Sequence, residues 1–89
     1  GTVTLKFRTM TGTSNSTSCN VTGLPVYLKP INQQTCVMRL QDNNIDQFGV
    51  ATISEVDGTI VLNTGATAGP FTSSGDKGPL SCTITYSLT

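Results

Sequence analysis

"VATISEVDGTIVLNT" (residues 50–64) consists of two alternating runs on either side of Asp57-Gly58. An Asp-Gly pair between such runs predicts a two-residue type I′ hairpin, because both turn positions need positive φ. A two-residue loop sets Val56 opposite Thr59, Glu55 opposite Ile60, Ser54 opposite Val61 and Ile53 opposite Leu62. One face then gathers Ala51, Ile53, Ile60 and Leu62, while Thr52, Ser54 and Asn63 line the other. Turn chemistry and side-chain alternation agree, so this stretch reads as two antiparallel strands.

Working outward, "TVTLKFRT" (2–9) puts Val3, Leu5 and Phe7 on one face, and Thr4, Lys6 and Arg8 on the other. That is the period of a half-buried strand. "TGTSNSTSCNVTG" (11–23) has no period and reads as a polar loop, and "LPVYLKPI" (24–31) reads as a short edge strand bounded by Pro25 and Pro30. "TCVMRLQ" (35–41) alternates again, with Cys36, Met38 and Leu40 on one side; "DNNID" (42–46) is a turn or loop. "LSCTITYSLT" (80–89) gathers Cys82, Ile84, Tyr86 and Leu88. No 3.6-residue apolar repeat follows a helix-starting cap anywhere. The prediction is an all-β, single-domain chain over 1–89: a small antiparallel sandwich or partly open barrel of about six to seven strands. With strand patterns running to both ends, the chain reads as a fragment or matured piece of a longer protein.

Chemistry is bounded by what the residues lack. Five basic and five acidic residues balance, and Lys6, Arg8, Lys29, Arg39 and Lys77 are scattered. Nucleic acid and anionic membranes both call for a basic patch, so neither is an expected partner. No apolar run approaches the ~18 residues of a membrane-spanning helix. With no histidine, Ser-His-Asp and Cys-His sites are excluded. A core this small leaves little room for a catalytic pocket, so a non-catalytic role without a cofactor is expected. Abundant Ser and Thr with few charges suit the surface chemistry of extracellular adhesins, fibres and pilins.

Cys19, Cys36 and Cys82 form an odd set. They read either as small buried hydrophobes or as candidates for one bridge, Cys19–Cys36 or Cys36–Cys82. Asp42, Asn44 and Asp46 carry the first three oxygens of a calcium loop, but Gln47 and Ile53 stand where an EF-hand needs Gly and Glu. A solvated turn is the plainer reading. Asn15-Ser16-Thr17 and Asn20-Val21-Thr22 are sequons, so Asn15 and Asn20 are glycosylation candidates if the chain passes through a eukaryotic secretory pathway.

"GATAGPFTSSGDKGPL" (65–80) is long for a connection in a compact domain, where ~4–6 residues are usual. Phe71 is its one apolar anchor and is expected to pin the middle of the loop, leaving "TSSGDKG" as an exposed tip. Phe71, Thr72, Ser73, Ser74, Asp76 and Lys77 are therefore the ligand-binding candidates, since binding is commonly placed on loops held by a rigid sheet.

The segments "DGTIVLNTG", "GPFTSSGDKG" and "CTITYSL", all from Asp57 onward, resemble the C-terminal ends of viral and phage fibre or spike heads. There a final hairpin, a Gly-rich loop with a lone Phe and a terminal strand close a small β-domain. The resemblance implies a receptor-binding or surface-projecting head on a virion or cell exterior, a homo-oligomer with a trimer favoured, and a host glycan or protein receptor as partner. It falls on scaffold positions and carries no receptor residue over. The alternative is an extracellular, pilin-like filament subunit that shares strands between subunits. A third reading is a monomeric extracellular domain that binds another protein.

Overall fold

A computed structural model describes all of residues 1–89. It is all-β, in two layers. A six-stranded antiparallel sheet curls into a half-barrel with strand order β2-β7-β4-β5-β6-β3; a two-stranded β1-β8 sheet lies against it. The strands are β1 Thr2–Phe7, β2 Gly12–Thr13, β3 Cys19–Val21, β4 Gln34–Asp42, β5 Ile45–Ile53, β6 Ile60–Thr64, β7 Asp76–Pro79 and β8 Cys82–Ser87.

The longest ladder joins β4 to β5, from Gln34↔Ile53 to Asp42↔Ile45. Its turn is Asn43-Asn44, with φ of 49° and 65°. Two positive φ values are what a two-residue primed turn needs, and Asn tolerates that region better than other side-chain-bearing residues. The tight two-residue hairpin thus sits in "DNNID", one hairpin earlier than Asp57-Gly58.

At Asp57-Gly58 the expected turn is replaced by a wider one. Ser54 N donates to Thr59 O (2.9 Å) and Gly58 N to Ser54 O (3.1 Å), leaving Glu55–Gly58 as a four-residue loop. Only Gly58 has a positive φ, 74°. Asp57 instead turns its carboxylate onto Thr59 N at 2.9 Å, a bond that holds the Asp57 carboxyl below its usual range. The register moves with the loop, so Ile53 faces Ile60 and Ala51 faces Leu62. The slip is two residues, and the side-chain period is also two. Ala51, Ile53, Ile60 and Leu62 therefore keep their common inward face, and all are buried.

Three further segments differ from expectation. "LPVYLKPI" forms no strand; Val26–Leu28 is a 3-10 turn in which Val26 and Tyr27 are exposed. The polar loop 11–23 contributes two short strands, β2 and β3. "DKGP" forms β7 on the far edge of β4, with Gln41↔Gly78 and Leu40↔Pro79. Gly78 has φ 137° and a Cβ there would sit 2.3 Å from Met10 O, so only glycine lets this strand pass.

The core joins Val3 and Phe7 of β1, Met38 and Leu40 of β4, Ala51 and Ile53 of β5, Ile60 and Leu62 of β6, Phe71, and Ile84 and Tyr86 of β8. Gly49 of β5 leaves no room for a side chain against it. A Cβ there would lie 2.2 Å from Asn63 O and 2.4 Å from Leu40 Cδ2. Gly49→Ala is expected to destabilise the chain by about 1–3 kcal/mol through overpacking, read as a lower urea midpoint with unchanged slope.

Candidate functional site

The Gly-rich loop is strapped down along its length. Phe71 is a core residue, 2% exposed. Thr72 donates its N–H to both oxygens of buried Asp42 (2.9 and 3.2 Å) and its hydroxyl to Oδ2 at 2.8 Å. Lys77 is 5% exposed, and its ammonium donates to Ser14 O (2.6 Å), Ser16 O (2.8 Å) and Thr72 O. Asp76 accepts the Thr13 hydroxyl and donates its N–H to Asn44 Oδ1 at 2.8 Å.

Phe71 and Lys77 are thus buried in the fold, while half-buried Asp76 and exposed Thr72 are committed to hydrogen bonds within it. Ser74 donates its hydroxyl to Asn43 Oδ1 at 3.4 Å, so of the ligand-binding candidates only Ser73 is exposed with its hydroxyl free. Lys77 escaped the expectation because an ammonium has three donors, which three converging carbonyls can satisfy without a counter-charge. Replacing it with methionine keeps the stem and strands the carbonyls. Lys77→Met is expected to cost about 2–4 kcal/mol, seen as earlier unfolding and faster amide exchange at residues 14–17 and 72–75.

Asp42, Asn44 and Asp46 do not converge on a shared point. Asp42 is held by Thr72, Asn44 accepts from Asp76 N, and Asp46 accepts Gln41 Nε2 at 3.1 Å. Asn43-Asn44 is the turn, and Asp42 and Asp46 lie in the strands that flank it. Asn15 and Asn20 are both exposed.

All three thiols are free. Cys19, Leu62, Ala51 and Cys36 stand in one row across β3, β6, β5 and β4, which separates Cys19 from Cys36 by three strand spacings, ~14 Å along the sheet. A disulfide needs Cα atoms within ~7 Å, so that bridge is ruled out by the register. Cys36 donates to Thr85 O at 3.3 Å and Cys82 to Arg39 O at 3.9 Å. Each thiol meets the other strand three residues from its fellow cysteine, so Cys36 and Cys82 are offset as well. They form a seam of thiol-to-carbonyl contacts between β4 and β8, not a bridge.

Burial raises the Cys36 thiol above its ordinary range. It does the same to the Tyr86 hydroxyl, which donates to Leu28 O at 2.7 Å. Burial also raises Cys19, and the nearby Lys77 ammonium draws it part of the way back. With folded-state values raised, the unfolded chain loses these protons first. Stability is expected to be flat below about pH 8.5 and to fall as pH rises through about 10. Melting curves across that window check this, and Cys36→Ser should flatten the lower part of the fall.

No buried side-chain nitrogen or oxygen lacks a hydrogen-bond partner. The interior therefore offers no polar group waiting for a ligand, and the remaining candidates lie on the surface. β1 pairs only with β8 and β3 only with β6, so each keeps one unpaired edge. Between these edges lies a groove of about 430 Å³, floored by Leu5 and Phe7 of β1, Val21 of β3, Leu24, Pro25 and Ile60 and rimmed by Lys6 and Arg8. The exposed Val26 and Tyr27 follow directly on its Pro25 wall. The sequence hid this groove, because Val21 and Leu24 lie in segments with no readable period and only the topology brings them opposite β1.

A second feature is on the outward face of the half-barrel. Arg39 pairs with Phe48, Gln41 with Asp46 and Val37 with Val50 across β4 and β5. Phe48 is 67% exposed beside a depression of about 230 Å³ lined by Arg39, Asp46, Gln47 and Phe48. No family model, curated protein or solved structure matches the chain.

Proposed function

We propose that this domain is a non-catalytic building block of an extracellular or virion-surface assembly, joined to its neighbours by a β-strand added at the β1–β3 flank. The observation that carries the proposal is the apolar groove between two unpaired strand edges. An unpaired edge offers a row of N–H and C=O groups to another chain. An apolar floor beside it offers pockets for alternate side chains. Together these are the two requirements of strand addition, in which the ladder supplies affinity and the pockets supply specificity. A chain of 89 residues also has a thin core and gains from sharing burial with a partner. This is the filament-subunit reading.

A specific observation also favours the second reading, a head domain that attaches to a host surface. The aromatic Phe48 and neighbouring Val37 stand on an open sheet face, 67% and 69% exposed, away from the groove. An apolar centre ringed by polar groups is the usual composition of a recognition patch. The two readings use different faces and one chain can serve both.

Light scattering over a dilution series tests the strand reading. Mass is expected to rise above the monomer with concentration, with amide exchange slowing in β1 and β3 as it does. Leu24→Glu, which places a charge on the groove floor, is expected to return the chain to a monomer while its circular dichroism stays β-type. A monomer at every concentration, with β1 and β3 amides exchanging freely throughout, would overturn the strand reading.

A further inference from the structure

We infer that the outward face of β4 and β5 around Phe48 is a saccharide subsite, taking a single neutral pyranose ring. This deepens the attachment reading, rests on it, and is independent of the β1–β3 groove.

The two-residue turn at Asn43-Asn44 fixes the site by fixing the β4–β5 register. With Asp42 opposite Ile45, every second pair faces outward, and Arg39↔Phe48 and Gln41↔Asp46 become neighbours on that face. Directly opposed side chains lie ~4.5–5.5 Å apart at Cβ, close enough to act on one small ligand. Phe48 stands exposed with its ring free of the core. An aromatic face carries negative quadrupole density and takes slightly positive C–H groups well. The flat C–H face of a pyranose is such a partner.

The polar groups around the ring are held and still have capacity to spare. Arg39 Nη1 donates to Ser81 O at 3.3 Å, which orients the guanidinium and leaves most of its five N–H donors unused. Gln41 Nε2 donates to Asp46 Oδ1 at 3.1 Å, which leaves the second carboxylate oxygen open as an acceptor. Arg39 and Asp46 line the same depression without forming an ion pair, so hydroxyls bound there can meet a donor and an acceptor, and such bonds are charge-assisted. Hydroxyls can answer both at once; a purely apolar partner would leave both unanswered.

Charge and size narrow the ligand further. Arg39 and Asp46 offset one another, so an acidic sugar drawn to the guanidinium would also meet the carboxylate. A neutral ring meets no such conflict. The depression of about 230 Å³ falls below the ~300–1,000 Å³ of sites for drug-sized molecules. It suits one ring, with the rest of any oligosaccharide lying toward the exposed Val37.

The test is an amide chemical-shift titration of the whole 15N-labelled chain with the methyl glycosides of glucose, galactose, mannose and N-acetylglucosamine. At least one is expected to give saturable shifts at residues 39–41 and 46–48, with Kd on the order of 1–10 mM, the weak range of a single small contact. Phe48→Ala is expected to abolish the shifts and Phe48→Tyr to retain them, while Asp46→Asn weakens binding at least about tenfold, or ~1.4 kcal/mol. Phe48 is exposed, so Phe48→Ala should keep the parent melting temperature, and loss of binding then reports on the site. Absence of saturable shifts with all four glycosides overturns the proposal. Binding of the chain to cultured cells separates the two layers. If Phe48→Ala abolishes cell binding that survives enzymatic deglycosylation, attachment stands and the partner is a protein. If the chain binds neither cells nor glycosides, both fall.

Discussion

β4 has two edges and three neighbours, and the way it meets them shapes the whole chain. β5 takes one edge along its full length. β7 takes only Leu40 and Gln41 on the other, so the remaining length faces β8. No regular ladder forms there. Leu80 N reaches Arg39 O at 3.1 Å, and the thiols of Cys36 and Cys82 lean across to carbonyls. Sulfur is a weak donor, so this seam joins the two sheets without fusing them. β1, on the far side of β8, is then carried past β3 without pairing, and the groove between them follows. The closed seam and the open flank are two ends of one incomplete barrel.

The polar interior follows a similar economy. The chain contains no histidine and buries one carboxylate and one ammonium without joining them as an ion pair. Asp42 is answered by Thr72, and Lys77 by backbone carbonyls from two loops. Thr72 takes part in both, donating to Asp42 and accepting from Lys77. Loops that look free in sequence are thereby bound to β4 and to one another.

The all-β class and most of the core were legible because alternation survives errors of register. Ala51, Ile53, Ile60 and Leu62 were assigned to one face through a turn that is in fact wider. β7 is not legible: Gly78 and Pro79 are loop residues by composition, and only their pairing with Leu40 and Gln41 of β4 makes them a strand. The 24–31 segment erred the other way, since Pro25 and Pro30 bound a 3-10 turn as readily as an edge strand. Side-chain chemistry is harder to read than class. Lys77 and Thr72 carry binding chemistry, but the fold spends it internally. Phe48 and Arg39 gain meaning only from a pairing fixed by Asn43-Asn44, and no spacing along the chain reveals it.

The loop between β5 and β6 has one more consequence, which concerns how this chain tolerates change in length. A strand pair recognises parity. Between Ile53 and Ile60, adding or removing two residues can be absorbed by sliding one strand along the other, and the inward side chains still point inward. Sliding by one residue is different: it would turn β6 over and exchange Ile60 and Leu62 for Val61 and Asn63 in the core. An odd change in length therefore has to be taken up by the loop itself or by a bulge, with the register left where burial of Ile60 and Leu62 holds it.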